Sequence, residues 1–174
     1  MSKCWSYNLI SQKAFKGHGP WVNSLALSTE YVLRTGAFDH TGKTYSWPDE
    51  MKKVALERYN KVKGNGPERL VSGSDDFTMF LWEPAVSKHH KTSMAGHQKL
   101  VNHVYFSPDG WSADSRLLLS GSTESTLKVW DRRTRKLKQD LPGHADEVYA
   151  VDWSPDGEKV ASGGKDKVLK LWMA

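Results

Sequence analysis

A chain of 174 residues that is 38% hydrophobic and 26% charged can build a core, and its composition is not that of a disordered segment. A single cysteine, Cys4, excludes an internal disulfide framework and suits a reducing compartment. No apolar run approaches the roughly 20 residues that span a bilayer, no signal peptide opens the sequence, and the net charge of +5 permits contact with nucleic acid or an acidic partner without requiring it.

Residues 1–16 read as the tail of a preceding unit: Lys3-Cys4-Trp5-Ser6 sits where a third strand would end, and Leu9 to Phe15 would form an outer fourth strand. Gly17-His18 then opens a new unit. Trp21 to Leu27 is predicted as a first strand and Tyr31 to Gly36 as a second. From Asp39 to Glu68 no strand is readable. Asp49 to Lys63 instead has helical spacing, with Met51, Val54, Ala55, Tyr59 and Val62 on one face, and Gly64-Asn65-Gly66-Pro67 ends it. The strand pattern resumes at Glu68 and runs to Trp82, so residues 17–95 are expected to form one unit with a helical insertion at about 39–67. Ala37 to Thr44 loosely matches a phosphate-binding loop after a strand. That chemistry also needs a helix starting at Lys43, and Trp47-Pro48 interrupts its first turn. Nucleotide binding is not expected.

Residues 96–142 form the next unit. Phe106-Ser-Pro-Asp-Gly110 is predicted as the turn between its first two strands, and Trp111 to Ser115 looks like the same turn again. Two readings stand: a whole repeat lost between Gly110 and Trp111, fusing two units, or a longer loop. Arg132, Arg133, Arg135, Lys136 and Lys138 follow in quick succession. They suit a solvated turn between the third and fourth strands, or a phosphate-contacting patch for RNA that lacks the interleaved aromatics of sequence readout.

Residues 143–174 are the clearest unit, although its outer strand is missing. An alternating strand is predicted, with Val148, Ala150 and Asp152 on one side and Tyr149, Val151 and Trp153 on the other. Ser154-Pro155-Asp156-Gly157 is a turn, Lys159 to Ser162 a second strand, and Val168 to Trp172 a third.

The units share fixed spacings. Gly-His recurs at Gly17-His18, Gly96-His97 and Gly143-His144. Four residues separate Ser72 from Asp76, Ser120 from Glu124 and Ser162 from Asp166. Six then lead to Trp82, Trp130 and Trp172. Two spacings held three times make a repeat, and eight tryptophans fit units that each use one. These residues resemble the WD-repeat family of β-propellers. The fold expected is therefore all-β: a partial propeller of about three blades, a leading fragment and one helical insertion. The resemblance implies a structural network in each blade: His18, Ser72, Asp76 and Trp82; His97, Ser120, Glu124 and Trp130; His144, Ser162, Asp166 and Trp172. Glu124 departs from the pattern. Its extra methylene is expected to lengthen or misdirect the bond and leave the middle unit weakest.

The same Ser, His and Asp types could be drawn as a hydrolytic triad, yet they recur in every copy, which a structural network explains better than three active sites. With one cysteine and no paired histidines on a helix, no metal or other cofactor is expected, and the chain is read as a non-enzyme. The family docks partners on the rim that bears the Gly-His and acidic loops. Aligned copies place Trp21, Leu100 and Glu147 at one rim position, Asn23, Asn102 and Tyr149 at a second, and Asp75, Thr123 and Lys165 at a third. Trp21 could serve as a docking hot spot or as a core residue.

The stretches 141–157, 21–38 and 68–82, with the insertion ending Ala55-Leu-Glu-Arg-Tyr-Asn60, are similar to the Notchless family, nearest its plant branch. That resemblance implies a scaffold for large-ribosomal-subunit assembly in the nucleus and nucleolus, with pre-ribosomal particles as partners. It also implies a truncated form. The family's ubiquitin-like domain, which engages the ATPase midasin, is not in this sequence, leaving midasin without its docking domain here. A propeller adaptor in Notch-type signalling or in ubiquitin-ligase complexes is the alternative.

Overall fold

The computed structural model describes residues 14–38, 41–108 and 117–173. Three antiparallel sheets lie side by side without closing into a ring. The first contains β1 (Val22–Leu27), β2 (Leu70–Ser74), β3 (Thr78–Trp82) and β4 (Thr92–Ala95) in that order. The second contains β5 (Val101–Phe106), β6 (Leu117–Ser122), β7 (Thr126–Asp131) and β8 (Lys136–Pro142), also consecutive. The third contains β9 (Val148–Trp153), β10 (Lys159–Gly164) and β11 (Leu169–Met173). The segment before residue 14 and the proposed fusion at 110/111 lie outside the described residues.

The turns joining the second and third strand of each blade are built alike. Phe77, Ser125 and Lys167 each take a left-handed backbone, with φ of 69°, 69° and 63°. Non-glycine residues adopt that conformation at a cost, so something must hold it. The acidic residue just before supplies the hold. Asp76 accepts the Thr78 N–H at 3.0 Å and Asp166 accepts the Val168 N–H at 3.1 Å, while Glu124 takes the Thr126 hydroxyl at 2.9 Å.

Two sequence expectations are corrected. The strict alternation across β9 fails because Val148 and Val151 are both buried on one side. Val148 pairs with Gly164 and Ala150 with Gly163, so Tyr149 is an extra residue on its strand. The same bulge falls at Asn102 in β5 and at Asn23 in β1. A bulge shifts the side-chain phase by one residue, which turns the expected period of two into a valine-x-x-valine pair facing one core.

The second correction concerns Tyr31 to Gly36, which forms α1 (Glu30–Thr35) and not a strand. β1 already pairs with β2, so the strand slot in that sheet is taken by Leu70–Ser74. The segment satisfies its backbone locally instead. Glu30 sits in the first turn, Arg34 in the last, and Gly36 closes the helix at φ 60°.

The insertion forms α2 (Pro48–Lys63), starting at a proline and ending at Gly64 with φ 63°. Met51, Val54, Ala55, Tyr59 and Val62, the face read from spacing, are all half-buried, and Arg58 beside them is as well. The helix docks beneath its own blade. The Tyr59 hydroxyl donates to Glu68 at 3.0 Å, Thr29 donates to the same carboxylate at 2.7 Å, and Arg58 donates to the carbonyls of Gly36 and Phe38.

Blades pack through two cores. Ala26, Val71, Met79, Leu81 and Met94 of the first blade meet Val101, Val104, Phe106, Leu118 and Trp130 of the second. Tyr105, Leu119, Leu127 and Val129 then meet Val148, Val151 and Val160 of the third. Glycine makes the close approach possible. A Cβ on Gly73 would stand 2.7 Å from a Val101 methyl, and one on Gly121 would stand 3.0 Å from methyls of both Val148 and Val151. Gly73→Val is therefore expected to lower the unfolding free energy by about 1–3 kcal/mol through overpacking. A urea midpoint unchanged by that substitution would show that the blades are not pressed together there.

Candidate functional site

Each blade carries the same four-residue chain of hydrogen bonds. In the first, His18 Nδ1 lies 2.7 Å from Asp76, His18 Nε2 lies 2.7 Å from Ser72 Oγ, and the Trp82 indole donates to Ser72 at 2.8 Å. The second repeats it with His97 to Glu124 at 2.5 Å, His97 to Ser120 at 2.6 Å, and Trp130 to Ser120 at 2.8 Å. The third has His144 to Asp166 at 2.8 Å, His144 to Ser162 at 2.8 Å, and Trp172 to Ser162 at 2.9 Å. An indole N–H only donates, so the serine Oγ accepts from the tryptophan in every blade, and the two histidine nitrogens bridge that serine to the carboxylate. Every polar side-chain group of each four-residue network thus has a partner.

Sequence spacing reflects this geometry. Gly96 and Gly143 precede their histidines because the chain passes against the tryptophan ring; a Cβ there would meet the Trp130 ring at 2.7 Å and the Trp172 ring at 3.1 Å. In the first blade Phe80 joins in, stacked between His18 at 4.0 Å and His90 at 4.2 Å.

The expectation for Glu124 is corrected: its bond to His97 is the shortest of the three. The longer side chain also accepts the Gln98 N–H at 2.7 Å and stands 3.6 Å from the Lys128 ammonium, which itself contacts Asp140 at 2.6 Å. Burial alone would push the Glu124 carboxyl up, yet its hydrogen bonds with Gln98, His97 and Thr126 outweigh it and hold its pKa below the ordinary value. Burial also lowers the pKa of His97, against the pull of Glu124.

The rim positions lie directly above these networks. Trp21, Leu100 and Glu147 each accept, through their carbonyls, the N–H of Asp75, Thr123 or Lys165, at 3.0, 3.1 and 2.9 Å. The three residues of the first rim position and the three of the third are therefore paired by backbone in every blade. Trp21 is 80% exposed, so of its two readings the core one is excluded. Tyr149 is half exposed and donates to Glu147 at 2.9 Å, beside Lys165.

Asn23 and Asn102 do something the sequence did not disclose. Each sits at its strand's bulge and donates to the first valine carbonyl of the next blade: Asn23 to Val101 at 3.1 Å, Asn102 to Val148 at 2.8 Å. The following residue completes the latch, with Val104 N–H donating to Ser24 at 3.1 Å and Val151 N–H to His103 at 3.0 Å. Asparagine recurring one place after a strand's first valine is the only sequence signal that could have pointed to it. A second unforeseen group is Glu83, buried in the first blade and held by Arg69 at 3.1 Å and Lys91 at 2.6 Å.

The basic run is divided by the fold. Arg132, Arg133 and Arg135 occupy the turn after β7, and Lys136 and Lys138 begin β8; all are exposed except Arg132, which is half-buried. Arg135 takes a left-handed backbone at φ 60°. The phosphate-loop stretch is preceded by α1 and not by a strand, and among the described residues no helix starts between Lys43 and Trp47.

Comparison with known proteins agrees with this geometry. Residues 88–131 and 135–173 match the family described as "WD domain, G-beta repeat". The chain is 53% identical over 124 residues to "Ribosome assembly protein 4" of Saccharomyces cerevisiae, covering 70% of this chain and 23% of that protein. It is 64% identical over 107 residues to "Notchless protein homolog" of Arabidopsis thaliana, covering 62% and 21%. With "Protein Notchless" of Drosophila melanogaster it shares 46% over 103 residues, covering 56% and 21%. The chain thus spans less than a quarter of the length of these relatives.

Proposed function

We propose that this chain, whose residues 88–131 and 135–173 match the WD-repeat family, is a non-catalytic scaffold of ribosome assembly, acting on precursors of the large subunit in the nucleolus. The observation that carries this reading is the rim. Three blades present loops of one geometry, clamped from below by buried hydrogen-bond chains, and a largely exposed tryptophan stands at the first of them. A rigid base under a large exposed aromatic is the arrangement in which interface residues contribute most to binding. The relatives named for ribosome assembly supply the partner class.

The exposed Arg133, Arg135, Lys136 and Lys138, with Arg132, form a second contact, to RNA phosphates, which positions without reading sequence. No contact with midasin is proposed.

Gradient sedimentation of the tagged chain tests both. The chain is expected to travel with large-subunit precursors, and Trp21→Ala with Tyr149→Ala to shift it to the top of the gradient. Reversing the four exposed basic charges is expected to leave an association less sensitive to added salt. Absence from the particles, with retained binding to a receptor tail, would replace this reading with the signalling adaptor.

A further inference from the structure

In an antiparallel sheet whose strands follow one another in order, the first-to-second and third-to-fourth connections share one end, and the second-to-third connection lies at the other. Trp21 and Asp75 mark the rim end. The helical insertion of the first blade and the turns after β3 and β7 therefore all lie at the opposite end. Blades pack through their strand faces and leave this end open. The middle blade has a neighbour on each side, yet Arg133, Arg135 and Lys136 in its turn are exposed. The corresponding turn of the first blade exposes Lys88.

At this end, the stretch that resembles a phosphate loop brings its lysine beside three aromatic rings. Phe38 is 49% exposed and meets Tyr45 edge-on, with 6.2 Å between ring centres. The Lys43 ammonium stands 5.4 Å from the centre of the Tyr45 ring. Trp47 is 72% exposed. Both outer aromatics are fixed to α2 through their backbones. Arg58 donates to the Phe38 carbonyl, and the Met51 N–H donates to the Trp47 carbonyl at 3.1 Å. Pro48 confines Trp47 to an extended backbone, with φ −127° and ψ 139°. Aromatic rings held on a rigid base and open to water, with a cation among them, suit a flat ligand that carries negative charge.

We propose that this loop binds single-stranded RNA, stacking unpaired bases on Trp47 and on the Phe38–Tyr45 pair, with Lys43 on the phosphate. The inference rests on the RNA contact proposed above. It supplies from the neighbouring blade the aromatics that the basic run lacks. Asp49 and Glu50 in the first turn of α2 repel phosphate from the helix start, which leaves Lys43 as the cation beside the rings. In a duplex the base faces are covered by one another, so the loop distinguishes single strands from duplexes. Acidic residues outnumber basic ones in the rim loops, and their field steers nucleic acid to this opposite end.

Fluorescence anisotropy with the full chain tests this. The probes are a labelled oligoadenylate of about 12 nucleotides, within the usual site sizes for single strands, and its duplex with oligouridylate. Trp47→Ala is expected to weaken single-strand binding about tenfold and to leave duplex binding unchanged. Its salt dependence should match wild type, since no charge is removed. Trp47→Phe keeps a ring and should keep most of the affinity. Lys43→Ala should reduce the slope of log affinity against log salt by about 0.7, the value for one phosphate contact on a single strand. Urea midpoints equal to wild type confirm that these surface variants fold. If RNA binds and Trp47→Ala has no effect, or weakens single strand and duplex alike, the stacking site is overturned while the phosphate contact stands. If wild type binds neither probe, both readings fall. Binding of a proline-rich peptide that Trp47→Ala abolishes, with RNA affinity unmoved, would assign the loop to a protein partner instead.

Discussion

Trp130→Ala is expected to cost about 3–5 kcal/mol of unfolding free energy, the range for removing a large buried aromatic. The indole is 1% exposed, lies in the core between the first two blades, and donates its N–H to Ser120 at 2.8 Å. Truncation leaves a cavity against Gly96, whose backbone runs across the ring, and neighbouring strands cannot close it without breaking their ladders. Trp130→Phe keeps most of the volume and loses the donor, so about 1–2 kcal/mol is expected. Trp172 occupies the same place in the repeat but is only partly buried, on the blade whose outgoing side is uncovered. Trp172→Ala should therefore cost about half as much as Trp130→Ala, since the transfer contribution scales with buried area. Urea unfolding of the two variants at low protein concentration measures the difference. Equal losses would mean that the motif, and not its burial by neighbouring blades, sets the contribution.

The repeat was legible because its two spacings are fixed by strand register. Ser72 pairs with Phe80 across the hairpin, so Trp82 falls two residues further along on the same face as the serine it bonds. Any blade with a hairpin of that length must keep the four-and-six pattern. The helix α2 was legible for a similar reason, since five of its apolar residues share one face and only Leu56 lies off it, exposed. What stayed hidden depends on neighbours. The bulges at Asn23, Asn102 and Tyr149 add a residue that only the partner strand reveals. The segment from Tyr31 to Gly36 has the β-branched and aromatic content of a strand, and becomes a helix because β2 already occupies the adjacent edge. Glu124 stands where the other two blades have aspartate, and its surroundings are not visible from that pattern. It accepts the Gln98 N–H as Asp166 accepts that of Ala145, and it lies beside Lys128, a residue whose counterpart in the first blade is Phe80.

Acidification is expected to weaken the fold in two stages, with the first due to His97. Burial, opposed by the bond to Glu124, holds the folded imidazole below its ordinary pKa, and in the unfolded chain it returns to about 6.5. Between those values the unfolded state binds the extra proton and the folded state does not, so stability is complete above about pH 6.5 and declines as pH falls below it. The cause is burial: enclosed between Glu124 and Ser120, a charged imidazolium would lose its hydration. The second stage follows the carboxylates. For Asp76, Glu124 and Asp166 burial raises the pKa, but the hydrogen bonds they accept prevail and hold each below its ordinary value. Their contribution is present above about pH 4 and is lost as pH falls through the folded values. Urea midpoints at pH 8, 6, 5 and 4 should therefore fall in both ranges. His97→Gln should flatten the decline between pH 7 and 5 while keeping the lower one, because the amide carries no titrating proton. If wild type and His97→Gln decline in parallel across that upper range, the middle blade's histidine is not the group that acid unfolding must protonate.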